Sequence, residues 1–309
     1  MKKLLIAVVI LLAAAAATLY FSPAVLTASV LLVERQLAGL SERQVVLGDL
    51  SIHYYEGDPA RGETILMIHG FSANKDNWLR FARHFTQRYH VIALDLPGFG
   101  DSDRPTGSYD VGTQAERLES FIKTLELGKV HLVGNSMGGH IAGLFAARYP
   151  NQVRSLALFD SAGVKSPKPS ELFRLIESGQ PNPLVVRNAE DFERMLAFVF
   201  VEPPPLPTSV KAYLAEKALA NQAHYDDVFR QLRERYIPLE PELPRIEAPT
   251  LLLWGDRDRV LDPSSIEVMK PLLKRPSVVI MENCGHAPML ERPEETAQHY
   301  QAFLDANPN

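Results

Sequence analysis

The sequence predicts an α/β architecture: a mostly parallel sheet flanked by helices, interrupted by a helical cap and preceded by an N-terminal transmembrane helix. Three observations carry this. Short apolar, β-rich runs alternate with helix-length patterns across most of the 309 residues. One such run, ending at Leu132 and Val133, leads through Gly134-Asn135-Ser136-Met137-Gly138 into an apolar helix pattern over 141–148. Residues 164–245 abandon the alternation and read as helices alone.

Composition narrows the classes. Hydrophobic residues make up 46% and the formal net charge is −5, so the chain can bury a large core and offers no basic cluster for nucleic acid. A single cysteine, Cys284, rules out an internal disulfide framework and a cysteine-rich metal site. The histidines lack metal-ligand spacing, so neither a metal nor another cofactor is expected.

The N-terminus has Lys2 and Lys3 and then no charge from residue 4 to residue 33. As a helix, residues 4–22 would span about 28 Å, close to the hydrocarbon thickness of a bilayer. Tyr20 and Phe21 sit where an interfacial aromatic belt would lie. Pro23 then allows a bend into a juxtamembrane helix over 24–40. The paired lysines predict a single pass through an inner (cytoplasmic) membrane, with the N-terminus in the cytoplasm and the body on the outer, periplasmic side. A cleaved signal peptide is the alternative, because the alanine run 13–17 offers small residues for cleavage. Ala13 and Ala17 also stand at a spacing that lets two membrane helices approach closely, so the anchor is either the interface of a homodimer or a passive tether.

The body is expected in three parts: a first part of the α/β core over 41–163, the cap over 164–245, and a second part of the core over 246–309. Residues 44–55 alternate in polarity, as a leading hairpin should. The largely apolar runs 64–68, 90–95, 130–133, 153–159, 250–254 and 277–281 are the remaining strands. Helix patterns fall over 77–88, with Trp78, Phe81, Ala82 and Phe85 on one face, and over 111–127, 141–148 and 293–304. Cap helices are expected over 170–178, 189–201 and 210–236. The run 195–201 is apolar almost all round, so it is buried in the cap, lines a channel, or meets lipid.

Gly-x-Ser-x-Gly alone also fits a glycine-rich helix start with a capping serine. Its place between strand and helix is that of a nucleophile elbow. His69-Gly-Phe71, Asp95-Leu-Pro-Gly-Phe-Gly100, Val133-Gly-Asn-Ser-Met-Gly-Gly139, Trp254-Gly-Asp-Arg-Asp258 and Gly285-His-Ala-Pro288 occur in that order. Together they resemble the α/β-hydrolase superfamily over residues 43–307. The stretch 69–78 is most similar to membrane-anchored monoacylglycerol lipases and bacterial inner-membrane phospholipases A. The resemblance implies an α/β-hydrolase fold with the cap inserted between the sixth and seventh strands.

It also implies the order Ser, Asp, His for a catalytic triad. Ser136 is the expected nucleophile. Of the histidines that follow it, His140 lies one turn into the elbow helix and His224 and His299 sit in helical patterns. His286, in a loop just past an apolar strand, is the expected base. Asp258 is the expected acid from the Trp-Gly-x-x-Asp pattern, with Asp160 as the alternative; Asp256 and Asp262 suit turn and helix-cap chemistry. The backbone N–H groups of Phe71 and Met137 would form the oxyanion hole. His69 reads as a structural loop residue.

A serine at the elbow sets the chain apart from epoxide hydrolases and haloalkane dehalogenases, which use aspartate. An esterase tethered to a bilayer meets lipid esters at the highest local concentration. Each buried methylene contributes about 0.8 kcal/mol, so an apolar acyl site would tolerate a broad range of chain lengths. Hydrolysis of phospholipids, lysophospholipids or monoacylglycerols is therefore the expected activity. A small-ester carboxylesterase or a C–C bond hydrolase with the same triad remains open. A non-enzymatic lipid-binding module would not need a complete triad.

Overall fold

The computed structural model describes residues 22–308. The expected membrane span over 4–22, its possible cleavage and its pairing into a homodimer fall outside these, apart from Ser22. Among the described residues no helix is long and apolar enough to cross a membrane. The first helix, α1 (Pro23–Leu37), stops three residues short of the expected end. Ser22 caps it through Val25 N–H, and Pro23 occupies the first turn, where a missing N–H costs nothing. Its Val25, Val30, Leu32, Val33 and Leu37 side chains are exposed, while Glu34 bonds Arg80 at 3.0 Å.

The strands are β1 (Ser41–Leu47), β2 (Leu50–Glu56), β3 (Thr64–Ile68), β4 (His90–Leu94), β5 (Val130–Asn135), β6 (Val153–Phe159), β7 (Thr250–Gly255) and β8 (Pro276–Met281). They form one sheet in the order β1-β2-β4-β3-β5-β6-β7-β8. β2 pairs antiparallel with β1 and β4, and every pairing from β4 to β8 is parallel. Every residue of β3, β4, β5 and β7 is buried, as the continuous apolar runs require.

Alternate residues feed two apolar layers. Leu66, Ile68 and Leu132 meet α3 (Val111–Thr124) and α4 (Met137–Arg148) on one face. Ile65, Met67 and Val133 meet Trp78, Phe81 and Phe85 together with Tyr300 and Phe303 of the C-terminal helix, Pro293–Ala306, on the other.

The expected helix over 77–88 is much shorter. A 3-10 turn, Lys75–Trp78, runs into a single α-helical turn, α2 (Leu79–Ala82), and the chain then tightens. His84, Phe85 and Arg88 each donate to a carbonyl three residues back, at 3.2, 2.9 and 2.9 Å. The spacing 78, 81, 82, 85 buries the same side chains at three residues per turn, so the pattern did not distinguish the two.

The cap consists of α5 (Glu171–Glu177), α6 (Ala189–Val199), α7 (Thr208–Ala220) and α8 (Gln222–Glu234), inserted between β6 and β7. The long pattern expected over 210–236 is two helices. Asn221 breaks it: its side-chain amide donates to Lys217 O at 2.9 Å and its carbonyl oxygen takes Arg104. Asp262, expected to suit a helix start, precedes α9 (Ser265–Leu272), and its carboxylate accepts Ser264 N–H at 3.0 Å. The remaining helices are α10 (Pro288–Glu291) and α11 (Pro293–Ala306).

Candidate active site

The elbow is built from close backbone approach. Ser136 joins β5 to α4 with φ +57° and ψ −119°, a region that favours glycine. A Cβ on Gly134 would lie 2.3 Å from Gly138 O, and one on Gly138 would lie 2.3 Å from Ile68 O. Both flanking glycines are therefore sterically required. Ser136 N–H donates to Phe159 O at 3.0 Å, and Ser136 O accepts His140 N–H and Ala162 N–H at 3.1 Å each. These bonds hold the strained residue in place.

The loops after β7 and β8 carry a joined acid and base. Asp258, in the loop after β7, accepts from His286 Nδ1 at 2.8 Å through Oδ2. Its Oδ1 accepts Val260 and Leu261 N–H at 2.8 and 3.0 Å. That bond fixes the tautomer with the proton on Nδ1 and leaves Nε2 as the basic nitrogen. The His286 loop is clamped from two sides: its N–H donates to Val199 O at 2.8 Å and its carbonyl accepts Asn135 Nδ2 at 3.0 Å. Asn135 precedes the serine and also donates to Phe159 O at 3.1 Å. It is the physical link between elbow and imidazole loop. The link shown between the serine turn and the Asp258–His286 pair is this Asn135 bond to the His286 carbonyl.

The loop that follows β3 closes the other side. Gly70 is close enough that an added Cβ would sit 3.1 Å from Ser136 Cβ. Neither Phe71 N–H nor Met137 N–H donates to another backbone group among the described residues. Met137 is the first residue of α4, where amides lack a partner within the helix. His69 is fully buried, accepts Leu96 N–H at 3.0 Å on Nε2 and bonds Gly70 O at 2.8 Å through Nδ1. Burial lowers its pKa, so it is a neutral strut in this loop. Lys75 anchors the far end: its N–H and Nζ both reach Asp95 at 2.7 Å, and Nζ also reaches Asp101 at 2.5 Å.

The competing histidines are occupied elsewhere. His140 Nε2 meets Ile237 O at 2.7 Å, and burial lowers its pKa to about 4. His224 Nε2 meets Gly98 O at 2.7 Å. His299 lies near Glu295 on α11, at 3.8 Å. Asp160, the alternative acid, makes no hydrogen bond to an imidazole; its Oδ1 accepts Gly255 N–H at 2.9 Å. Asp256 serves the turn, accepting Cys284 N–H at 3.4 Å.

The cap covers this arrangement through aromatic contacts. Phe71 packs on Tyr225 and Phe229 of α8, with ring centroids 5.7 and 5.5 Å away, and Tyr225 stacks on Phe99 at 5.9 Å. In the apolar run 195–201, Leu196 and Phe198 are buried in the cap, Val199 supplies the carbonyl that holds His286, and Val201 is exposed. The run is thus divided between cap core, base loop and surface. The sequence offered a signal for neither Asn135 nor the Lys75–Asp95 pair beyond their places inside recognised motifs.

The profile of the alpha/beta hydrolase fold family matches residues 63–293. Lipase 3 of Moraxella sp. (strain TA144) is 37% identical over 287 residues, covering 90% of this chain and 89% of that one. Monoacylglycerol lipase ABHD6 of Homo sapiens is 31% identical over 283 residues, covering 87% and 84%. The crystal structure of a membrane phospholipase A, described as a bacterial virulence factor, superposes with a TM-score of 0.91 at 66% identity and covers 99% of each chain.

Proposed function

We propose, on the premise that the chain belongs to the α/β-hydrolase family, that this carboxylic-ester hydrolase cleaves acyl esters of membrane lipids through an acyl-enzyme. The observation that carries the reading is the Asp258–His286 pair held by Asn135 against a serine on a strained elbow.

In this reading Ser136 Oγ attacks the ester carbonyl carbon and His286 Nε2 takes the hydroxyl proton. Asp258 stabilises the imidazolium that forms. The carbonyl oxygen becomes an oxyanion facing the free N–H groups of Phe71 and Met137, where one such donor is typically worth about 3–4 kcal/mol in the transition state. The bond to the leaving alkoxide breaks as His286 returns the proton, releasing lysolipid or glycerol. Water then repeats the sequence on the acyl-enzyme, delivering the fatty acid and restoring Ser136.

Two things favour lipid over small esters. The similar proteins are named as lipases, a monoacylglycerol lipase and a membrane phospholipase A. The uncharged stretch from residue 4 fits a single-pass anchor in the inner membrane, with the catalytic body on the periplasmic side.

Fatty-acid release from defined phospholipid, lysophospholipid and monoacylglycerol micelles by detergent-extracted full-length protein tests this. Ser136→Ala should abolish release while keeping the circular dichroism of the parent. Release from none of these lipids, with p-nitrophenyl butyrate still cleaved, would replace the reading with a small-ester carboxylesterase.

A further inference from the structure

Behind the Asp258–His286 pair lies a second buried carboxyl that the reaction as written does not use. Asp160 caps the end of β6 with φ +45°, and its N–H donates to Leu253 O at 2.9 Å. The side chain is fully buried; Asp258 and His286 are 7% and 6% exposed. One carboxyl oxygen from each aspartate and one nitrogen of His286 lie within 4.8 Å of one another. Asp160 Oδ1 is used by Gly255 N–H, whereas Oδ2 is buried and has no donor.

Charge and hydrogen bonds then decide the protonation. Two carboxyls share a dry site with one imidazole, which can neutralise only one of them, so a proton must be held by the pair. Asp258 Oδ1 already accepts two N–H groups, while Oδ2 accepts only from His286 and has a lone pair to spare. An orphan oxygen on Asp160 and a spare lone pair on Asp258 are complementary once Asp160 carries hydrogen.

We propose that Asp160 holds a proton on Oδ2 and donates it to the Asp258 carboxylate, acting as a positioning residue for the Asp258–His286 pair. The proposal rests on the triad reading above.

The surroundings favour the protonated form, against the one Gly255 N–H bond that favours the anion. Burial, then the Asp258 carboxylate, then Glu291 on α10 push the Asp160 carboxyl well above its usual range. Cys284, also buried, is a neutral thiol, raised chiefly by burial. The shared hydrogen bond draws charge from Asp258 Oδ2 and fixes its direction. The imidazole is thereby held in one orientation for its exchange of a proton with Ser136. The unfavourable backbone angle at Asp160 fits a side chain held for such a task.

The test compares wild type, Asp160→Asn and Asp160→Leu by pH profiles of kcat/KM on p-nitrophenyl butyrate and by infrared difference spectra. Asn keeps a permanent donor to Asp258 and an acceptor for Gly255; Leu keeps neither. Asp160→Leu should lower kcat about tenfold or more with KM nearly unmoved. Asp160→Asn should rescue most of that loss and leave the acidic limb of the profile where wild type has it. Wild-type protein at neutral pH should show a carboxylic-acid C=O band that Asp160→Asn lacks. If Asp160 were an anion, Asp160→Asn would remove a negative charge beside His286 and move the acidic limb down by about one pH unit, with no acid band lost; that result overturns the proposal. Should Asp160→Leu fail to fold, the Asn variant and the band still decide it. Activity surviving in Ser136→Ala would defeat the triad reading instead, and the infrared band reads the proton independently of that.

Discussion

Several buried or strained residues lie at and next to the Ser136 turn, and each answers to a different force. The positive φ of Ser136 is imposed by the strand-to-helix turn and held by its bonds to Phe159, His140 and Ala162. His140 shows what burial does to a base: its pKa falls to about 4 because the charged imidazole is unsolvated there. The unfolded chain keeps the ordinary value near 6.5. Below that value the unfolded state therefore binds more protons than the folded one. Stability is complete above pH ~6.5 and falls as pH drops towards 4, by about 3 kcal/mol from this residue. His140→Asn, which can still donate to Ile237 O, should flatten the dependence of the urea midpoint on pH between 6.5 and 4 relative to wild type. An unchanged slope would show that the imidazole is already solvated. The triad candidates were legible at this scale because each sits inside a short motif. Asp160 was legible only as a rival acid, since the hydrogen bonds that separate it from Asp258 run between β6, β7 and the loop of His286.

Elements place these residues by docking onto one another. The loop that carries Phe71 is fixed at one end by β3 and at the other by Lys75, a lysine only 2% exposed and bonded to the fully buried Asp95. Burial alone would lower the lysine pKa, but Asp95 and Asp101 more than offset this and keep it raised, so the ammonium stays charged. Lys75→Met would strand the Asp95 carboxylate and should cost about 3–5 kcal/mol in urea unfolding. Lys75→Met combined with Asp95→Asn should recover a large part of that loss. A single variant as stable as wild type would mean that water reaches Asp95 freely. The patterns that misled are informative here too. The 77–88 segment buries the expected side chains in a tighter coil, and the cap helix expected over 210–236 divides at Asn221. Apolar spacing reports which face is buried; it does not report where the backbone ladder stops.

At the scale of the whole molecule, a mostly parallel sheet supplies a platform and the cap packs over it through α8 and Phe71. Tethering that platform to a bilayer would raise the local concentration of lipid without touching the chemistry. Deleting residues 1–21 should leave p-nitrophenyl butyrate hydrolysis intact and cut fatty-acid release from phospholipid vesicles by about tenfold. Equal vesicle rates for both forms would remove the N-terminal segment from the lipid reading. The sequence by itself determined the α/β class and the run of helices inserted between two strands, and it put forward Ser136, Asp258 and His286 as candidates for the site. All of these are written in local windows: apolar runs, periodicities and motifs a few residues long. Only the tertiary structure decided that Asn135 clamps the His286 loop, that Lys75 and Asp95 pin the Phe71 loop, and that Asp160 lies buried within 4.8 Å of Asp258 and His286. Those contacts join residues far apart in the chain, and their meaning depends on burial: the same carboxyl or ammonium is a solvated surface charge until the fold removes the water around it.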